Sequence, residues 1–171
     1  MNRRNMLAIS AVTAVTVFGL ALLTEGAIGA PKAKIKKGQL VGDWALVSTN
    51  APNAAIQNGP DDGYLVFERN GRFSFAILGS KVPKFASNNR NTGTADENKA
   101  VAQGSIAYFG TYSVNEADGT LTFHIARSSF PNWTGTDQPR LITSLTAQEL
   151  KYTNPSASIG GTAELVWKRV K

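Results

Sequence analysis

Residues 64–78 read YLVFERNGRFSFAIL, and this stretch decides the fold. Two runs that alternate apolar and polar side chains, Tyr64–Glu68 and Arg72–Leu78, flank an Asn-Gly pair at Asn70 and Gly71. An Asn-Gly pair accepts positive φ at low cost and closes tight turns between antiparallel strands. We therefore expect a β-hairpin here, with further strands on both sides of it.

Similar runs continue along the chain. A second hairpin is predicted from Ile106–Val114 and Thr120–Ser128 around a turn at residues 115–119. The remaining predicted strands are Gln39–Ser48, Arg140–Leu145, Glu149–Thr153 and Thr162–Val170. Eight short strands joined by tight turns indicate an all-β fold, either a two-sheet sandwich or an eight-stranded antiparallel up-and-down barrel. The barrel is favoured because sequential hairpins close a sheet and closure removes exposed edges.

One short helix interrupts this pattern. Thr94 can cap its start, Glu97 completes a capping box three residues later, and Gly104 ends it.

The N-terminal residues indicate export. Arg3 and Arg4 precede an apolar run, Met6–Leu23, and small residues follow up to Ala30. This order is typical of a signal peptide, and the paired arginines resemble a twin-arginine signal. We expect a signal peptide at residues 1–30 with cleavage near Gly29 or Ala30, a basic linker at residues 31–38 and the barrel at residues 39–170. The product would be periplasmic or secreted and would have no integral membrane span after cleavage, although an uncleaved anchor is the alternative.

Composition excludes several classes of function. The net charge of +6 comes largely from basic residues near the two ends, and no aromatic-and-basic pattern indicates nucleic-acid binding. The sequence has no phosphate-binding glycine loop and no dinucleotide fingerprint, so no cofactor is expected. One histidine and no cysteine predict no metal site. Without cysteines, the core must stabilise an exported domain unaided.

Three segments together resemble the bacterial and fungal lipocalin-like domain family. Leu40–Ser48 is similar to the Gly-x-Trp first strand of lipocalins, and Gly104–Val114 contains Tyr-Phe-Gly-Thr-Tyr. His124–Arg140 adds Pro-Asn-Trp, Gly135 and Gln138. The resemblance implies a calycin-type barrel in a family whose members mostly lack an assigned activity. It also implies an arginine packed across Trp44 near the closed end, for which Arg169 is preferred to Arg140.

His124 is the only histidine and the first candidate for a functional side chain. If Val114 pairs with Thr120, His124 lies opposite Gly110 and shares one face with Tyr108 and Tyr112. A one-residue shift in the turn would undo this grouping. In the lumen, His124 would orient a polar ligand group or transfer a proton. The structural alternative is a histidine bonded to a tyrosine or to backbone.

The segment that links His124 to Arg140 supplies the other candidates. Arg140 begins a strand beside apolar residues, so a buried guanidinium would need Glu68, Glu164 or a ligand carboxylate as its partner. Trp133 would either plug one barrel end or form a wall of the ligand entrance. The complete predicted ligand-binding set is Tyr108, Tyr112, His124, Asn132, Trp133, Gln138 and Arg140.

Three functional hypotheses follow. The first is an exported barrel that binds a small, mostly apolar ligand with one polar end, with Phe73, Phe75 and Tyr112 among its apolar walls. The second is a cofactor-free isomerase, cyclase or lyase for a hydrophobic metabolite, in which His124 and Tyr108 transfer protons. The third is a filled structural or partner-binding envelope barrel.

Overall fold

A computed structural model describes residues 35–51 and 62–171. The chain divides into Met1–Ala30 and Pro31–Lys171, and the described residues belong to the second unit. The predicted signal peptide and residues 31–34 of the predicted linker lie outside the described residues.

Eight antiparallel strands form a closed barrel in which each strand pairs with its neighbours in sequence and the last pairs with the first. The strands are β1 (Gly42–Thr49), β2 (Gly63–Phe67), β3 (Arg72–Leu78), β4 (Ser105–Asn115), β5 (Thr120–Ser128), β6 (Asp137–Leu145), β7 (Glu149–Asn154) and β8 (Ala163–Arg169). One α-helix, α1 (Ala95–Gly104), connects β3 to β4. The predicted eight-stranded up-and-down barrel with one short helix is confirmed.

The hairpin of β2 and β3 shows why these residues form a barrel wall. Gly71 has a φ of 86°, as the Asn-Gly turn requires. Phe73 and Phe75 of β3 are buried, whereas Arg72 and Ser74, which alternate with them, are exposed. This period of two places one face of each strand in a single apolar core.

Helix α1 begins as its sequence predicts. The Thr94 side chain accepts a hydrogen bond from the Glu97 N–H at 3.2 Å, and the Glu97 carboxylate accepts one from the Thr94 N–H at 2.8 Å. The N–H groups of Ala86 and Thr94 lower the pKa of Glu97 because they stabilise its charged form. These bonds hold the helix start beside the segment that leads into it.

The end of the barrel where β1 begins and β8 ends is closed by an arginine. The Arg169 guanidinium lies 4.0 Å from the ring centre of Trp44, in the place that the resemblance implied. It donates hydrogen bonds of 2.6–2.7 Å to three backbone carbonyls, those of Val41, Gln39 and Ala147. Gly42 makes this approach possible, since a Cβ there would lie 2.6 Å from Nη1 of Arg169. We call this the closed end.

Residues 35–39 cover part of the closed end. Ile35 is buried in the core, and Lys37–Gln39 form a 3₁₀ turn. The Lys37 N–H donates to the Glu116 carboxylate at 3.0 Å, and its ammonium lies 4.7 Å from the ring centre of Tyr112. The end of the predicted basic linker is therefore packed against the barrel, because it carries an apolar residue that the core can bury.

Candidate functional site

A cavity of about 990 Å³ lies at the end of the barrel opposite the closed end. It is lined at its rim by residues from the strand ends opposite Arg169, including Thr49 of β1, Asn154 of β7 and Ala163 of β8. Its walls are mainly apolar and include Phe75, Ile77, Val101, Tyr108, Phe130, Trp133 and Leu165. Two further lining residues, Arg140 and Tyr152, form what we call the polar floor.

The connection from β5 to β6 supplies one wall. Pro131–Trp133 form a 3₁₀ turn with proline at its start, and Gly135 leaves the turn with a φ of 77°. Trp133 is only 8% exposed, and its ring centre lies 5.5 Å from that of Tyr108. Because Trp133 lines an open cavity, its indole acts as a wall and does not fill the barrel end.

Arg140 is 1% exposed and lies on the floor of the cavity. Its Nη1 donates to the Pro139 carbonyl at 2.7 Å, and its guanidinium lies 5.4 Å from the ring centre of Trp133. Its Nη2 has no hydrogen-bond partner among residues 35–51 and 62–171. Neither Glu68 nor Glu164, the two expected carboxylate partners, forms an ion pair with it, because both side chains are on the solvent-exposed side of the barrel.

Tyr152 and Trp167 add two further buried donors to this region. The Oη of Tyr152 and the Nε1 of Trp167 lack hydrogen-bond partners within the described part of the chain, although both residues are almost fully buried. Burial raises the pKa of Tyr152 well above its ordinary value, and Tyr108 raises it further. Arg140 and Trp167 lower the pKa of Tyr152, but it stays above its ordinary value. Tyr152 therefore stays a neutral hydroxyl donor.

Tyr108 is the other phenol beside Arg140. Its ring stacks on Phe75 with 4.3 Å between ring centres. Burial raises the pKa of Tyr108, while the positive charge of Arg140 partly opposes the rise. Both phenols near the guanidinium therefore remain uncharged at ordinary pH and do not neutralise it.

His124 lies outside the lumen, so the expected grouping with Tyr108 and Tyr112 is wrong. Asn115 pairs with Thr120, one position away from the predicted register, and Thr111 therefore faces His124. The turn has four residues instead of the expected five, and within it the Asn115 side-chain amide donates to the Asp118 carboxylate at 2.8 Å. A one-residue shift moves a strand's side chains to the opposite face.

On the outer surface His124 joins Ser113 and Asp137. Its Nε2 lies 2.9 Å from Ser113 Oγ and its Nδ1 lies 2.6 Å from Asp137 Oδ1. This order matches a Ser-His-Asp triad, but catalysis by a triad also needs an oxyanion hole and a substrate pocket. The three residues are absent from the cavity lining, and the His124 and Asp137 side chains are 40% and 68% exposed. We interpret the cluster as a tie between β4, β5 and β6.

Three other predicted ligand-binding residues also lie away from the cavity. Tyr112 is inside the barrel but near the closed end, where its hydroxyl donates to the Glu68 carbonyl at 3.2 Å. Asn132 is exposed, and the Gln138 side chain donates to Thr136 Oγ1 at 3.0 Å. The cavity thus brings together Tyr108, Trp133 and Arg140 from the predicted set. Tyr152 was missed, although it is an inward position of the alternating strand β7.

The sequence model of the lipocalin-like domain matches residues 41–170, which is most of the chain. The chain belongs to this family. Its resemblance to the family, carried by Gly42, Trp44 and the segment before Arg140, is therefore confirmed. No curated protein matches the chain in sequence.

Solved structures similar to this lipocalin-like barrel include bacterial and mammalian proteins. A lipocalin-like protein from Bacteroides uniformis is 16% identical, with 78% of this chain and 100% of that chain covered and a TM-score of 0.43. The odorant-binding protein from bovine nasal mucosa is 18% identical, with coverages of 81% and 76% and a TM-score of 0.37. Its complex with undecanal has the same identity, coverages and TM-score: 18%, 81%, 76% and 0.37.

Two further observations describe this lipocalin-like barrel. Within residues 35–51 and 62–171, no group of three histidine, aspartate or glutamate side chains is arranged to hold a metal ion. No helix of the same residues is both long enough and apolar enough to cross a membrane.

Proposed function

We propose that this lipocalin-like barrel binds a small, mostly apolar molecule with one polar end. The observation that carries the proposal is the cavity of about 990 Å³ with apolar walls and a polar floor. Binding pockets for small molecules typically measure about 300–1,000 Å³ and combine apolar walls with a few polar groups. The volume and the lining of this cavity match that description.

The walls and the floor would make different contributions to binding. Phe75, Trp133 and Leu165 offer apolar and aromatic surface, so transfer of an apolar group from water to these walls is favourable. Arg140 and Tyr152 offer deeply buried hydrogen-bond donors at the floor. A ligand would therefore bind in one orientation, with its polar end at the floor.

The other two hypotheses receive less support. The enzyme hypothesis paired His124 with Tyr108 for proton transfer, and these residues lie on opposite faces of the barrel wall. The filled-barrel hypothesis requires side chains to occupy the lumen, whereas a cavity of about 990 Å³ reaches inward to Arg140 and Tyr152.

Ligand binding can be tested with the neutral apolar fluorophore N-phenyl-1-naphthylamine. Leu165 lines the cavity, and its neighbour Val166 faces outward. We expect Leu165→Trp to weaken binding at least about tenfold by occupying the lumen, and Val166→Trp to change it little. Thermal melting of both variants checks the fold. Equal binding by both variants and the parent protein would place the fluorophore elsewhere and refute the proposal.

We also propose that the protein is exported and is periplasmic or secreted. The basic start, the apolar run Met6–Leu23 and the small residues up to Ala30 support this proposal. Cell fractionation followed by intact-mass measurement tests it. We expect a processed chain that has lost about 30 residues, in line with typical signal-peptide lengths. A full-length chain that stays with the membrane fraction would instead indicate an uncleaved anchor.

A further inference from the structure

The cavity floor holds a buried positive charge, that of Arg140. Arg140 is 1% exposed, and no acidic residue of the described ranges forms an ion pair with it. A buried guanidinium is costly unless it is paired and hydrogen-bonded. Its guanidinium lies 5.5 and 5.4 Å from the ring centres of Phe123 and Trp133. These contacts replace only part of the stabilisation that hydration by water would give the charge.

The unsatisfied donors of this region are close together. Arg140 Nη2, Tyr152 Oη and Trp167 Nε1 are the buried side-chain polar atoms that lack a partner in the described part of the chain. Arg140 and Trp167 both lower the pKa of the Tyr152 phenol, so the three groups are neighbours. All three groups can donate, and the two nitrogens can only donate. The floor is therefore complementary to a ligand group that accepts hydrogen bonds and carries negative charge.

We propose that the polar end of the ligand is a carboxylate, whose oxygens accept hydrogen bonds from Arg140 Nη2 and Tyr152 Oη. This inference rests on the proposed function and names the chemical class of the ligand, a monocarboxylic acid with an apolar body. Trp167, the other neighbour of the Tyr152 phenol, adds a third buried donor beside this pair.

Other polar groups fit the floor less well. An alcohol or aldehyde would accept a hydrogen bond but would leave the guanidinium charge unpaired. An ammonium group would be repelled. A doubly charged phosphate would keep an excess negative charge, because the described lining has two basic residues and only Arg140 lies at the floor. The other basic residue, Lys81, is exposed to solvent. One carboxylate matches one guanidinium.

The test compares three probes with the same alkyl chain, dodecanoate, dodecan-1-ol and dodecylammonium, by displacement of N-phenyl-1-naphthylamine and by calorimetry. We expect dodecanoate to bind at least about tenfold more tightly than dodecan-1-ol, since a charge-assisted hydrogen bond is worth at least that factor. Dodecylammonium should bind most weakly. The preference for dodecanoate should fall when the pH drops below the pKa of its own carboxyl group.

Arg140→Met removes the guanidinium with its charge and keeps an unbranched, although shorter, side chain. We expect it to weaken dodecanoate binding by about 10- to 100-fold and to change dodecan-1-ol binding by less than about threefold. Arg127→Met is the matched control, because Arg127 is exposed on β5 and its Nη1 also donates to the preceding carbonyl, at 2.9 Å. This control should leave the affinities for all three probes unchanged.

Tyr152→Phe provides a second variant in case Arg140→Met does not fold. We expect it to weaken dodecanoate binding by about three- to tenfold through loss of one hydrogen bond, with dodecan-1-ol less affected. If the fluorophore binds but dodecanoate and dodecan-1-ol bind equally, or if both folded variants keep the parent preference, the carboxylate proposal is overturned while the proposed function stands. If neither the fluorophore nor any probe binds, both proposals are overturned.

Discussion

The two ends of the barrel each pack an arginine beside a tryptophan, and the two pairs differ in their burial and in their hydrogen bonds. Arg169 lies 4.0 Å from the Trp44 ring centre and donates to three backbone carbonyls. Arg140 lies 5.4 Å from the Trp133 ring centre, donates to one carbonyl and leaves Nη2 unsatisfied.

This difference separates a structural arginine from a candidate binding arginine. The carbonyls around Arg169 come from the chain before β1 and from the turn before β7, so the guanidinium ties distant segments together. Arg140 instead lines a cavity that is open to small molecules. Aromatic packing alone does not distinguish the two roles, whereas the completeness of hydrogen bonding does.

The largest expected effect is the loss of stability when Arg169 is replaced. Arg169→Met removes three charge-assisted hydrogen bonds, so we expect a loss of about 3 kcal/mol in the free energy of unfolding. Arg140→Met removes a buried unpaired charge and should leave stability unchanged or higher. Urea unfolding of both variants measures the contrast. Equal destabilisation would show that the two arginines have the same structural role.

The next largest loss of stability is expected at Gly110, which lies at a β-bulge between the two ends of the barrel. A Cβ at Gly110 would lie 2.0 Å from the His124 carbonyl oxygen, and backbone cannot move aside easily. We expect Gly110→Ala to lower the free energy of unfolding by about 2–3 kcal/mol. Gly38→Ala is the control, because a Cβ there meets no atom within 4 Å. A change below about 0.5 kcal/mol at Gly110 would mean that the bulge is not tightly packed.

A smaller difference in stability is expected between variants of the two buried tyrosines at opposite ends of the barrel. Tyr112→Phe removes a hydrogen bond to the Glu68 carbonyl, for which we expect a loss of about 1 kcal/mol. Tyr152→Phe removes a hydroxyl that has no partner among the described residues, and stability should stay equal or rise. Thermal unfolding of both proteins without added ligand measures the difference. A larger loss for Tyr152→Phe would indicate that its hydroxyl stabilises the fold.

The smallest effect is expected at His124. Its contacts with Ser113 and Asp137 are on the exposed surface, so His124→Gln should change the free energy of unfolding by about 0.5 kcal/mol or less. Binding of N-phenyl-1-naphthylamine should not change, since His124 is absent from the cavity lining. A marked loss of binding would restore the sequence-based expectation that His124 is a ligand-binding or proton-transferring residue.

The strands and the start of the helix could be predicted because they depend on local patterns. Alternation along β3, the Asn-Gly turn and the capping box of α1 each specify structure within a few residues. The position of Arg169 over Trp44 could be anticipated from the resemblance to the family. The position of His124 could not be predicted, because the turn before β5 is one residue shorter than expected. A register change of one residue moves a side chain to the other face of the sheet.

By itself the sequence determined an all-β chain, the number of strands and the apolar face of each. Only the tertiary structure decided which of those inward residues fill the barrel and which line an open cavity, because that depends on how eight strands stagger around one axis. It also decided that Arg140 is buried and forms no ion pair with an acidic residue of the described ranges. A buried group's partners come from strands distant in sequence, so the unsatisfied donors of Arg140 and Tyr152 appear only after the barrel closes.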